Sequence, residues 1–293
     1  MLKAVGKIVA LASERGISFP EAVLILDAAE SGVPAPEIRS RMAERLADMR
    51  RSVREACAGG VCCRIEGAMG PKLRGYHGAM AGDFLMSAAA TAMEVASYNA
   101  AMGRIVAAPT AGSCGILPGM LFAWEYFHGG DRDTERLLTE ALITAGAIGE
   151  VTAFRATLAG AYGGCQAECG AAAAMGAAAL AYLQGGSPAI CAHAAAMTFK
   201  SVLGLVCDPV GGLVECPCIK RNGILVANGT ICADMALAGI ESVIPLDEVI
   251  DSMGQIGRMM APALRETSQG GLAVTPTAAA LMKKLGETGK LGG

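Results

Sequence analysis

From Asp83 onward the chain is written mostly in alanine, methionine and leucine, with glycine as punctuation, and clusters of β-branched residues are rare and short. Strands need such clusters, so this feature confines the chain to helices. Apolar periodicity places helices near 83–101, 118–128, 133–148, 166–184, 188–203, 222–239, 247–260 and 276–285. Ser187-Pro188 forms an N-cap followed by a first-turn proline. One local conflict arises in "ILVANGTI" (224–231), where Asn228-Gly229 would suit a hairpin turn. Helix is the expectation there, because "ADMALAGI" continues in helical period. The abundance of small residues lets facing helices approach closely.

Towards the N-terminus, Ser18, Pro20 and Glu21 form a capping box with a first-turn proline, opening a short helix that ends at Gly32. Ile38, Met42, Leu46, Met49 and Val53 then make one apolar stripe, with Arg39, Arg41, Arg45, Arg50, Arg51 and Arg54 on the other faces. Glu44 and Asp48 interrupt the arginines, so this basic face reads as solvated surface. "CAGGVCC" (57–63) reads as a break. The organisation expected is a helical arm over 1–60 and one large helical domain over 61–293.

Composition excludes several classes. A 53% hydrophobic, 17% charged chain of mean hydropathy +0.44 is too apolar for disorder, and its excess implies buried helices and a partner-covered surface. A net charge of −3 and 4% aromatics argue against nucleic acid as a partner. "GAAAAMGAAALAYL" (170–183) is shorter than the roughly 20 residues a membrane span needs, and the N-terminus shows no cleavage site. A cytoplasmic protein is expected, in which 11 cysteines are core thiols, metal ligands or a nucleophile rather than a disulfide framework.

Three glycine- and proline-rich loops interrupt the helices. "GRIVAAPTAGSCGILPG" (103–119) can offer backbone N–H groups and the hydroxyls of Thr110 and Ser113 to an anion. It is equally suited to be a structural connection, and it matches neither a Walker A loop nor G-x-G-x-x-G. "AYGGCQAECGAAAAMG" (161–176) carries Cys165 and Cys169, and "CDPVGGLVECPCIKRNG" (207–223) carries Cys207, Cys216 and Cys218. These cysteines lack the C-x-x-C pairs of zinc sites. A single cysteine is ordinarily a small buried apolar side chain. However, Cys165, Cys207 and Cys218 each fall at a loop or helix end, where a thiolate can face a cavity, whereas Cys191 and Cys232 lie within helices as core. Of three histidines, His128 ends a helix and His193 sits in an apolar one; only His77, in "GPKLRGYHGAM" (70–80) beside Lys72 and Arg74, has a site-like setting. No G-x-S-x-G elbow is present.

"NAAMGRIVAAPTAGSCGILPG", "GGCQAECG", "CDPVGGLVECPCIKRNG", "ADMALAGI" and "ALRETSQGGLAVTPT", five ordered stretches within about 60–278, resemble the α chain of the bacterial iron–sulfur L-serine dehydratases. The resemblance implies an all-α domain whose loops converge on a metal-cluster site. It implies that Cys165, Cys207 and Cys218 hold a 4Fe–4S cluster, while Cys169 and Cys216 stand where the family tolerates other residues. Three thiolates leave one iron open as a Lewis acid for the β-hydroxyl of L-serine, while a protein base takes the α-proton. Pyruvate and ammonia result, as in amino-acid catabolism and gluconeogenesis. On the same resemblance Thr110, Ser113 and Asn99 contact the substrate, Lys220 and Arg221 neutralise substrate or cluster charge, and Lys72 and His77 are the candidate catalytic bases.

The sequence departs from the family pattern in two respects. It lacks the α/β domain with a Ser-His-Thr loop found in single-chain members, which implies a separate β chain and a hetero-oligomer. It ends in "KLGG", without the terminal cysteine that caps the open iron in some members. Two other readings keep the metal site: a related cysteine desulfidase, and a non-catalytic iron–sulfur scaffold subunit. A pyridoxal-phosphate enzyme is disfavoured, since no lysine sits in a Schiff-base motif with a phosphate-cradling loop.

Overall fold

The computed structural model describes residues 2–61, 63–77, 80–130 and 133–288, and among them no strand occurs. The "KLGG" end lies outside the described residues. The helices are α1 (Val5–Arg15), α2 (Phe19–Ser31), α3 (Ala35–Cys57), α4 (Met69–Arg74), α5 (Gly82–Ala100), α6 (Ile116–His128) and α7 (Thr134–Arg155). Then follow the single turn α8 (Gly160–Gly163), α9 (Ala171–Leu183), α10 (Pro188–Ser201), α11 (Cys218–Leu237), α12 (Leu246–Met259) and α13 (Pro276–Thr288). The protein is therefore all-α.

Helix α9 is the axis of the molecule. Eleven of its residues from Ala171 to Ala181 are buried without interruption, and α6, α7, α10 and α11 pack around it. A helix apolar on every face is stable only when surrounded, and its alanines let four neighbours reach it. Helices α1 to α3 join the same apolar cluster through Val5, Ile8, Phe19, Leu46 and Met49. The capping box opens α2 as the sequence requires, with the Glu21 N–H donating to Ser18 Oγ (3.4 Å) and the Ser18 N–H to Glu21 Oε2 (2.8 Å).

Two expectations need correction. The basic face of α3 is not simply solvated: Arg39 donates to Glu140 of α7 at 2.7 Å, and Arg50 pairs with Glu125 of α6 and Glu135 of α7. Helix α7 runs past its expected end near 148 to Arg155, which gives it the length and apolarity of a span, while the 170–183 stretch is too short as expected; 72% of the α7 apolar window is buried among the other helices. The segment 224–231 is helical, inside α11.

Candidate metal centre

The three loops meet, and buried amide side chains fasten them together. Gly164 adopts φ +75°, and a Cβ there would lie 2.8 Å from the Leu205 carbonyl oxygen, so only glycine lets the two backbones close. The next residue but one completes the join. The Gln166 N–H donates to Leu205 O (3.1 Å), its Nε2 donates to Gly163 O (2.8 Å) and Met253 O (3.2 Å), and its Oε1 accepts from Gly204 N–H (2.9 Å). Residues Gln166–Gly170 then form a π-helical turn leading into α9. Such turns often occur at functional sites, and this one carries Cys165 at its N-terminal edge and Cys169 within it.

The Cys207 loop is held from the other side. The Cys207 N–H donates to Leu264 O (2.9 Å) and its carbonyl accepts from Glu266 N–H (2.7 Å), an isolated parallel bridge in an otherwise helical protein. Glu266 and Ser268 take positive φ (62° and 55°), strain that the bridge and the bond from Ser268 Oγ to Pro209 O (2.7 Å) hold in place. Cys218 opens α11, which starts earlier than the periodicity indicates, so this thiol stands in the first helical turn. Asn222, fully buried one turn later, joins that helix to the 110–115 loop. Its Nδ2 donates to Gly112 O (2.8 Å) and Cys218 O (2.9 Å), and its Oδ1 accepts from Gly115 N–H (3.0 Å).

Cys165, Cys207 and Cys218 consequently become buried neighbours that perturb one another electrostatically. Burial raises the Cys218 thiol to about 12 and drives Cys207 higher still, with the charges of Glu168 and Cys165 adding to the effect. Cys165 alone is held below the ordinary thiol value, by a hydrogen bond from Cys169 and by the Arg221 guanidinium, which together outweigh burial. Cys169 is correspondingly pushed far up as the protonated partner, and its Sγ lies 3.8 Å from Gly112 O. Burial also raises the Glu168 carboxyl, with Glu266 adding repulsion; Cys207 Sγ lies 3.7 Å from Glu168 Oε2, and Thr110 hydrogen-bonds the same carboxylate.

The remaining sequence-derived candidates divide between this centre and other places. Thr110 reaches it through Glu168, and Ser113, wholly buried, bonds to Thr110 Oγ1 (3.1 Å). Asn99 Nδ2 donates to Ala111 O (3.1 Å) and so supports the same loop. Arg221 is inside the centre, whereas Lys220 turns to Glu66 Oε1 (2.6 Å) with its side chain half exposed. Cys216 hydrogen-bonds Glu66 and is not among the groups perturbing the three thiols. Lys72 is exposed on α4. His77 is exposed too, and lines a separate cavity of about 840 Å³ with Arg74, Asp83, Phe122 and Tyr126. Among the described residues no hydrogen bond or ion pair joins Lys72 or His77 to the thiols. Sequence reading overlooked Gln166, Glu168, Asp208, Asn222 and Glu266. For the first four the available signal was a polar residue within two positions of a cysteine or glycine turn, in "CQAEC", "CDP" and "KRNG"; Glu266 had no such signal.

Donor chemistry decides what such a centre fits. Glu168, Cys207 and Glu266 bring one ligand atom each within 4.8 Å of one another, a spacing suited to a single ion. The three loop-end cysteines add an all-thiolate set, the chemistry of iron–sulfur ligation, and a cluster is wider than an ion, so its ligands stand farther apart. A fixed guanidinium beside Cys165 and a buried, unpartnered Arg265 Nε–H on the segment bridged to Cys207 match the anionic character of such a group. The residues present fit a cluster.

Comparison with known proteins covers nearly the whole chain. Residues 14–273 match the family described as serine dehydratase alpha chain. The chain is 42% identical over 289 residues to the probable L-serine dehydratase, alpha chain, of Bacillus subtilis, covering 97% of this chain and 95% of that one. It is 43% identical over 282 residues to the L-serine dehydratase, alpha chain, of Peptoniphilus asaccharolyticus, covering 94% and 96%. Against the Escherichia coli L-serine dehydratase TdcG it is 43% identical over 184 residues, 62% of this chain but only 40% of that one. With the fold, the loops and the near full-length matches in agreement, the chain belongs to the serine dehydratase alpha chain family.

Proposed function

We propose that the chain is the α subunit of an L-serine ammonia-lyase, a cytoplasmic carbon–oxygen lyase converting L-serine to pyruvate and ammonia, with Cys165, Cys207 and Cys218 as ligands of a 4Fe–4S cluster. The observation that carries this reading is the meeting of three buried loop-end thiols whose segments are fastened by Gln166 and Asn222. A bound cluster supplies an iron Lewis acid for the departing hydroxyl. Thr110 Oγ1 binds the substrate carboxylate, oriented by buried Ser113, and Asn99 holds the loop that carries both. Arg221 and Lys220 contribute positive charge. Glu168, its carboxyl raised by burial, is the group beside the thiols suited to hold a proton. Lys72 and His77, both exposed, are the other candidate bases. The alpha-chain names of the near full-length relatives support a separate β chain as partner.

The test is anaerobic reconstitution of the chain with its β partner, followed by iron and sulfide analysis and pyruvate assay. Cys165→Ser, Cys207→Ser and Cys218→Ser each abolish the cluster, while Cys169→Ser and Cys216→Ser largely spare it. Equal losses at all five would refute the ligand assignment. Sulfide release from L-cysteine in place of pyruvate from serine would make the protein a desulfidase, and iron without turnover would make it a scaffold. Removing the true base lowers kcat by about 10²–10⁴-fold, so E168Q, K72M and H77N separate the three candidates.

A further inference from the structure

Beside the thiols Arg221 is held in a buried ion pair with a carboxylate, Asp208, to which the proposed reaction gives no part. Arg221 Nη2 donates to Asp208 Oδ1 at 2.9 Å, and Arg221 Nη1 donates to the Val206 carbonyl at 2.9 Å. The two side chains are only 16% and 4% exposed. Asp208 is itself boxed in. Its Oδ2 accepts the Leu272 N–H at 2.8 Å, and Gly271, at φ +59°, passes so close that a Cβ there would lie 2.5 Å from that oxygen. The guanidinium is thereby fixed on either side of Cys207, between the Val206 carbonyl and the Asp208 carboxylate, and its charge acts on the Cys165 thiol. Asp208 follows Cys207, and Arg221 stands one helical turn after Cys218. The pair therefore joins the Cys207 and Cys218 segments around one fixed cation.

We propose that Asp208 is a positioning residue that holds the Arg221 guanidinium beside the thiols, so that a fixed positive charge there sets the reduction potential of the bound cluster. This rests on the cluster reading given above. The physical basis is general: cluster potentials follow local charge and hydrogen bonds to sulfur, and a charge in a poorly solvated interior acts more strongly than in water. A fork bonded to a carboxylate and a carbonyl at once is a task for arginine that a lysine ammonium on a flexible stem does not reproduce.

The experiment measures the cluster's midpoint potential by EPR-monitored reductive titration of the anaerobically reconstituted protein. Iron content and thermal unfolding are recorded for every variant. Arg221→Gln removes the cation, and the potential falls. Arg221→Lys keeps the charge but not the fork, and the potential falls most of the way to the R221Q value. Asp208→Ala gives the decisive sign. If the carboxylate acts only through its own charge, deleting it raises the potential; if it acts by holding Arg221, the potential falls and the double variant D208A/R221Q falls no further. A potential in R221K equal to wild type, or a rise in D208A, overturns the inference and leaves the cluster assignment standing. A wild-type chain that takes up no iron overturns both.

Discussion

Replacing Asn222 is the most informative single perturbation of the centre. Its amide makes three hydrogen bonds of 2.8–3.0 Å from a fully buried position, two as donor and one as acceptor. Asn222→Ala strands the buried Gly115 N–H, at about 1–3 kcal/mol. It also removes the donors to Gly112 O and Cys218 O, for a total of about 2–4 kcal/mol. In a chain of this size about 2 °C of Tm is lost per kcal/mol, so the melting temperature falls by about 4–8 °C. Asn222→Asp sharpens the test. It keeps an acceptor for Gly115 but turns an acceptor towards two carbonyl oxygens and buries a charge, so it destabilises at least as much as alanine. Thermal unfolding by circular dichroism measures both, and iron retention after anaerobic reconstitution shows whether the Cys218 helix stays in register with the 110–115 loop. A Tm within 1–2 °C of wild type in N222D would refute the reasoning, because the donor bonds would then contribute nothing.

Other consequences can be checked independently. Glu140 accepts from Arg39, Arg136 and the Tyr182 hydroxyl, all at 2.7 Å; burial opposes its ionisation, but the hydrogen bonds from Tyr182 and Arg39 and the charge of Arg136 outweigh it and lower its pKa. That stabilisation is present above the unfolded-state carboxyl value and is lost as pH falls through the lower folded value. Wild type should therefore lose more Tm than E140Q on acidification from pH 5 to pH 3, and E140Q should cost about 2–4 kcal/mol at neutral pH; parallel acid profiles would count against the hub role. Gly164→Ala meets both the positive φ and the Leu205 carbonyl, and should lower stability by about 1–3 kcal/mol in a urea titration. Because Cys207 and Cys218 are raised by burial, metal uptake must displace their protons. Cobalt(II) binding, followed by its thiolate absorption band, should strengthen from pH 6 to pH 9 and release protons, and a pH-independent affinity would place the metal elsewhere.

Much of the helical scaffold was legible in advance because helical period, caps and glycine breaks are local properties. Ser18 with Glu21 opened α2, Ser187-Pro188 opened α10, and "ADMALAGI" drew the ambiguous 224–231 stretch into α11. Loop-end placement singled out Cys165, Cys207 and Cys218, and the resemblance made them a set. Helix starts were less legible: α11 begins at Cys218 and not near 222, since the Pro217 turn and the Asn222 bonds, rather than apolar spacing, set its first residue. The roles of Gln166, Asp208 and Asn222 were not legible at all. Each is an ordinary polar side chain with at least one partner on a distant segment, 13 to 110 positions away. Sequence determined which residues could form helices and which thiols ended them; tertiary structure alone decided that Arg221 turns to Asp208 beside the thiols while its neighbour Lys220 turns to Glu66. Consecutive residues on a helix diverge by about 100°, and only the packing of α11 against the other loops fixes which one turns inward.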